Sequence, residues 1–396
     1  MYLKLWLFSF GLYFGFATNA FSQENTHQPY QPKPRITLLI PLYLDSAFDH
    51  GKYRFGNTMP GFIANSLDFY NGAKIAAHEL EAQGIAAKIQ VIDTRSPNFL
   101  NQYFRDTATE GTGIVISAAQ SAAEIKAIAE KLRPLGIPLI SMLPNDAGIG
   151  GYPEMMLANS TLKTHCEQIF RFLQRNHSID NLVMLTPNGT AEGRLKNYFL
   201  DENKSTPSIP LKWKDRVFTD SLRAESLALM LDSNAMNVVI CPTLNANQAQ
   251  RLVKMLSSLG PKYRTAVFGM PTWETISFQK SEFKGVDVWY GTPFISTSGN
   301  ADLTEDFSKR FKELTNAKPG DMGFRGYEIT FRYLKTYLSH KADFLDHIND
   351  RQFRMFNDFD FKPVSLRDNG YTDYLENKKI YMVKKTDGAI KSVMSP

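Results

Sequence analysis

Five short polar groups stand directly after apolar runs in this chain, and their residue types could do chemistry: Ser117-Ala118-Ala119-Gln120-Ser121, Pro144-Asn145-Asp146, Thr186-Pro187-Asn188, Thr243-Leu244-Asn245 and Thr272-Trp273-Glu274. Hydroxyls, amides and carboxylates in this mixture recognise polar ligands by hydrogen bonding, and Trp273 adds a ring that can stack. If each apolar run is a buried strand of an α/β sheet, the residues after it lie on the carboxyl rim, where such sheets bind ligands. A helix beginning near Ser121 would also present free backbone N–H groups to an anion. Any one of these residues is equally an ordinary turn or helix-capping residue. As a set facing across a cleft they point to ligand binding.

Bond-making chemistry is not indicated. The seven histidines are scattered, with no His-Glu-x-x-His pair, no Gly-x-Ser-x-Gly elbow and no Gly-rich Lys-Ser/Thr phosphate loop. Gly148-Ile149-Gly150-Gly151 is followed by Tyr152-Pro153 where a dinucleotide loop would start a helix. Asp358 and Asp360, near His347, read as a solvated acidic turn. The reading is therefore a non-enzyme with no cofactor and no metal.

The elements that must position the rim residues are clearest over residues 113–146. GIVISAAQ is a β-branched run, SAAEIKAIAEKLRPLG an amphipathic helix, and IPLISMLPND a second apolar run, so together they form one βαβ unit. Residues 35–45, 62–83, 87–94 and 98–110 extend this to strand, helix, strand, helix before it. After a polar, glycine-rich interruption the alternation resumes, with strands expected at 181–189, 237–245 and 265–274, another in LKWKDRVF, and helices around Cys166, 190–200, 222–231 and Leu252. Residues 286–296 form an extended segment long enough to run between lobes. Two helices follow it, then hairpins over 359–385 turning at Asn369-Gly370. A chain that closes both lobes after building them in turn crosses between them more than once, which makes a hinge.

The chain has 396 residues, 43 % of them hydrophobic, enough for two packed cores. Its net charge of +5 comes without a Lys/Arg-rich block, so nucleic-acid binding is not indicated. Residues 1–20 carry Lys4, an apolar run and Thr18-Asn19-Ala20, the pattern of a cleaved signal peptide; residues 21–34 read as a flexible leader. The two cysteines, Cys166 and Cys241, fall on apolar positions and read as small core residues, although an exported protein can also pair such residues.

With these elements placed, the chain resembles the type I periplasmic binding protein superfamily, in particular the branched-chain amino-acid ABC transporter substrate-binding group. The carriers are the exported N-terminus, ITLLIPLYLD before LDFYNGAKIAAHEL, the IVISAAQSAAEIKAIAEKLRPLGIPLIS unit, and FRGYEITFRYLKTYL before a short β tail. The resemblance implies an α/β fold of two Rossmann-like, doubly wound lobes joined by a multi-crossover hinge. The expected divisions are 35–155 and 288–345 in lobe 1, and 156–287 and 346–396 in lobe 2, the last including the C-terminal tail.

It further implies that the loops at Ser117–Ser121 and Leu143–Asp146 hold a ligand's α-carboxylate and α-ammonium, with Ser117 and Ser121 serving there, that Glu274 meets the ammonium, and that Trp273 stacks. The second rim loop departs from the amino-acid binders: Met142-Leu143-Pro144-Asn145-Asp146 replaces their small Ala/Ser/Thr run. The loop at 47–61 is also longer than in plain amino-acid binders. The expected function is that of a periplasmic solute-binding protein, monomeric or dimeric, delivering an amino acid or peptide-like molecule to an ABC permease. The alternative is a non-transport sensor or cell-envelope interaction protein on the same fold.

Overall fold

The computed structural model describes residues 34–85, 87–105, 111–144, 148–260, 262–296, 301–367 and 370–394. The expected signal peptide, nearly all of the leader, Asn145, Asp146 and Asn369 lie outside the described residues.

The first pass of the chain comprises β1 (Arg35–Ile40), the one-turn helix α1 (Leu44–Ala47), a small hairpin of β2 (Phe48–Asp49) and β3 (Lys52–Tyr53), α2 (Gly61–Ala82), β4 (Lys88–Asp93) and α3 (Phe99–Arg105). It continues with β5 (Thr112–Ser117), α4 (Ala122–Leu132), β6 (Leu139–Ser141) and β7 (Met155–Leu157). The second pass comprises α5 (Leu162–Asn176), β8 (Asn181–Pro187), α6 (Thr190–Ser205), β9 (Trp213–Phe218), α7 (Ala224–Ala228), β10 (Asn237–Ile240), α8 (Ala246–Leu259), β11 (Thr265–Phe268) and β12 (Val286–Thr292). Helices α9 (Ala301–Thr315) and α10 (Asp321–His340) return to the first core, followed by β13 (Phe361–Val364), β14 (Tyr374–Asn377), β15 (Tyr381–Thr386) and β16 (Ala389–Met394).

These strands make two seven-stranded sheets, ordered β13-β14-β7-β6-β5-β1-β4 and β16-β15-β12-β11-β10-β8-β9. Each sheet is parallel through its middle and ends on strands from the C-terminal segment: β13 is antiparallel to β14 at the edge of the first, and β15 and β16 are antiparallel at the edge of the second. The central parallel strands carry apolar groups on both faces, as burial by helices on either side demands, whereas the edge strand β4 is partly and β9 largely exposed. In β5, Ile114 and Ile116 pack toward α2 and α10, while Val115 between them packs toward α4. The chain passes between the sheets three times: after β7, after β12 and between β14 and β15. This is the two-lobed, multiply crossed architecture expected above.

Three expectations need correction. The segment placed in lobe 2 from 346 onward first adds β13 and β14 to the first sheet, because Leu375 and Glu376 pair in parallel with Met156 and Leu157; only β15 and β16 belong to the second. Conversely, β12 stays with the second sheet through Thr292, so the return to lobe 1 begins after it. The strand expected over 265–274 stops at Phe268, and Pro271–Thr275 forms a 3-10 turn. Pro271 has no N–H with which to continue a ladder.

Helices α2 and α10 pack backbone to backbone across two glycine contacts. A Cβ on Gly72 would stand 2.0 Å from the Gly323 carbonyl oxygen, and one on Gly326 would stand 2.1 Å from that of Phe69. Only hydrogen fits at either position. Asp68 of α2 fastens the same pair by accepting from the N–H groups of Gly320, at 2.8 Å, and Gly323, at 3.2 Å, at the start of α10.

Candidate ligand cleft and hinge

On the first lobe, the rim is organised by Asp93 at the end of β4. Its carboxylate accepts from the backbone N–H groups of Leu42, Tyr43, Leu44 and Arg95 at 2.8–3.2 Å, which holds Tyr43 in a left-handed conformation with φ 58°. Tyr43 then donates its hydroxyl to the Gln120 side chain at 2.5 Å, and the Arg95 guanidinium lies 5.2 Å above the Tyr43 ring while pairing with Glu124 at 2.9 Å. Gln120 completes the group by donating to the Ser66 hydroxyl at 3.4 Å. The sequence reading named Gln120 but missed Tyr43, Ser66 and Arg95, which come from three other segments.

Ser117 is fully buried at the end of β5, where its hydroxyl accepts from the Ala119 N–H. Ser121 caps α4 by accepting from the Glu124 N–H at 3.2 Å. Both hydroxyls are thus engaged in shaping the rim.

The second lobe brings four named residues together. Trp273 donates its indole N–H to the Thr243 carbonyl at 3.0 Å, and Thr272 donates to the Leu244 carbonyl at 3.1 Å. The Thr243 hydroxyl is shared between Glu192 and Gln248, and Asn245 caps α8 through the Asn247 and Gln248 N–H groups. Trp273 has no exposed surface and lies against Gly269 and Phe278, so its ring belongs to the lobe core and offers no face for stacking in this conformation. Asn188 is exposed. The Thr186 hydroxyl is buried without a hydrogen-bond partner among the described residues. Cys166 and Cys241 are both buried free thiols, and burial raises both pKa values.

Glu274 reaches the other lobe. Its carboxylate stands 3.7 Å from the Arg325 guanidinium of α10, and Arg325 lies 4.7 Å over the Phe294 ring on the second crossing. An adjoining cavity of about 180 Å³ is lined by Glu274, Tyr290, Thr292, Ser296, Asp321 and Lys385 among others. Burial raises the Glu274 carboxyl against the opposing pull of Arg325 and Lys385, and burial lowers the Lys385 ammonium against Glu274 and Asp321. Lys385 also donates to the Glu274 carbonyl at 2.5 Å.

The first and third crossings are tied by a second carboxylate. Glu376 of β14, 1 % exposed, accepts from the Thr161 N–H and hydroxyl, the Thr164 hydroxyl and the Lys378 ammonium at 2.7–2.8 Å. Burial alone would raise its pKa; Lys378, Thr164 and the N–H at the start of α5 outweigh that and hold it below the ordinary range. Next to it, fully buried His165 is lowered to about 4 by desolvation, against the opposing effect of Glu376 and a hydrogen bond with the Gly291 backbone.

Asp358 and Asp360 serve basic neighbours, Asp358 meeting Arg354 at 3.3 Å and Asp360 meeting Lys362 at 2.9 Å. His347 bonds Asp350 at 2.7 Å and stacks on His340 with ring centroids 3.5 Å apart. The possible ligand atoms of these three lie within 4.8 Å of one another.

No family model and no curated protein matches this chain. Solved structures do match it over nearly its whole length. A putative branched-chain amino acid ABC transporter protein from Rhodospirillum rubrum superposes with a TM-score of 0.64 at 12 % identity, covering 91 % of this chain and 99 % of its own. The fold is that of the type I periplasmic binding proteins. Other structures of this fold include the substrate-binding protein LivJ of Streptococcus pneumoniae in complex with isoleucine, with a TM-score of 0.54, 12 % identity and coverage of 92 % and 99 %. An ABC transporter substrate-binding protein of Desulfitobacterium hafniense complexed with Leu gives 0.55, 14 % and 91 % and 99 %. Among the described residues no helix is long and apolar enough to cross a membrane.

Proposed function

We propose that this chain is a periplasmic solute-binding protein that closes its two lobes on a small polar ligand, an amino acid or a peptide-like molecule, for an ABC importer. The observation that carries the reading is the match of the two-sheet, three-crossing architecture to solved substrate-binding proteins over 91–92 % of the chain. Ligand contacts in both lobes would stabilise the closed form, which is how differential affinity drives closure. Gln120 and Asn188 are the rim amides assigned to the ligand, and Thr186 supplies a buried hydroxyl without a hydrogen-bond partner among the described residues.

The test is a thermal-shift and calorimetric screen against amino acids, short peptides, sugars and cell-wall fragments. A ligand at a hundred times its dissociation constant adds about 2.7 kcal/mol to stability, a clear rise in melting temperature. An amino acid or peptide hit supports solute binding of that class.

A second reading, an envelope sensor or interaction protein that no longer transports, is favoured by one observation. Ser121, Asn245 and Trp273 are already spent on the protein's own backbone, and Glu274 on Arg325. Silence across the amino-acid and peptide panel would favour it.

A further inference from the structure

An open pocket of about 410 Å³ lies where the lobes join, between α5 of the second lobe, β13 of the first and the third crossing. Its lining is strongly cationic: Arg171 and Arg175 from α5, Lys362 from β13, and Lys378 and Lys379 from the crossing. Two carboxylates, Glu167 and Asp360, share the wall.

The acids are already matched to other bases. Asp360 pairs with Lys362 at 2.9 Å, Lys378 is held by buried Glu376 at 2.7 Å, and Glu167 meets Lys163 at 3.9 Å. Arg171 and Arg175 remain. They are exposed, one turn apart on the same face of α5, and neither has a carboxylate within ion-pair distance among the described residues. Like charges at this spacing repel, and a concave basic wall concentrates their field. Two guanidinium forks beside lysine ammonium groups suit a ligand with more than one negative charge and several acceptor oxygens, which describes phosphate better than a single carboxylate.

We propose that this pocket is an anion site, separate from the cleft, that takes a phosphate group through Arg171 and Arg175. Because α5 belongs to one lobe and β13 to the other, the occupant bridges them beside the hinge. Free phosphate and a phospholipid headgroup share this chemistry.

The experiment titrates the full chain with orthophosphate and pyrophosphate by calorimetry, and measures flotation with phosphatidylglycerol and phosphatidylcholine vesicles. Pyrophosphate is expected to bind more tightly than orthophosphate and to weaken as salt rises. The double variant Arg171→Ala/Arg175→Ala is expected to lose roughly tenfold or more in affinity at an unchanged melting temperature, and Arg216→Ala, an exposed arginine on β9 outside the pocket lining, to lose nothing. Heat with the free anions identifies a soluble source, and flotation only on phosphatidylglycerol identifies a lipid headgroup; either, if lost in the double variant, supports the site. No heat and no flotation, or binding that survives both substitutions, overturns it.

Discussion

The carboxylate of Glu274 in the second lobe lies 3.7 Å from the guanidinium of Arg325 in the first, and the two side chains keep 28 % and 19 % of their exposure. Neither is fully hydrated, so removing one strands the other. Arg325→Met is expected to destabilise the protein by about 1–3 kcal/mol, and Glu274→Gln by less, because burial already disfavours the Glu274 carboxylate. The double variant should lose less than the sum. A urea-denaturation cycle checks this; strict additivity would mean that the pair contributes nothing.

Trp273→Ala should act on folding. The indole is fully buried and bonded to the Thr243 carbonyl, so its loss is expected to cost about 3–5 kcal/mol. Trp273→Phe keeps most of the volume and should cost less. Equilibrium unfolding separates the two, and a stable Trp273→Ala protein would place the ring outside the core.

Thr186→Val tests the opposite situation. This buried hydroxyl has no partner among the described residues, which disfavours the folded state, so replacing it with a methyl group should leave stability unchanged or raise it. If that hydroxyl serves the ligand, the same variant binds more weakly in the calorimetric screen. Lowered stability without a change in binding would contradict both expectations.

The glycine contacts between α2 and α10 give a steric prediction. Gly72→Ala puts a methyl group where the Gly323 carbonyl stands, so the helices must separate, at a cost of about 1–3 kcal/mol or more. Gly193→Ala, on α6 with open space around it, serves as the control and should leave the melting temperature unchanged or raise it.

His165 sets an acid-side dependence. The unfolded chain protonates this residue near 6.5, whereas the folded chain does so near 4. Between those values the unfolded state binds more protons, so stability falls as pH drops, by roughly 3 kcal/mol once pH is below both. His165→Gln should flatten that slope when melting is followed from pH 7 to 4.

Much of the fold was legible because buried parallel strands are written locally. Ile114-Val115-Ile116 and Val238-Val239-Ile240 announce themselves as β-branched runs between helices. The rim was legible in position but not in use, since Ser121 and Asn245 look the same in sequence whether they cap a helix or meet a ligand. Trp273 read as a ring for stacking on a ligand, whereas the 3-10 turn that starts at Pro271 after β11 takes it into the core, and no local pattern announces that. Arg325, Tyr43 and Arg95 were invisible as partners because tertiary packing alone brings them to Glu274 and Gln120. The placement of residues 361–377 failed for the same reason: strand pairing with β7 is a long-range choice.

Both sheets receive their final strands from residues 361–394, β13 and β14 in one and β15 and β16 in the other. During synthesis this stretch leaves the ribosome after everything else described here. Until it emerges, β7 and β12 each lack a neighbour, and two lobes that look independent await the same short piece of chain. A nascent chain stalled before residue 361 should therefore be open to protease in both lobes together, and release should protect both at once.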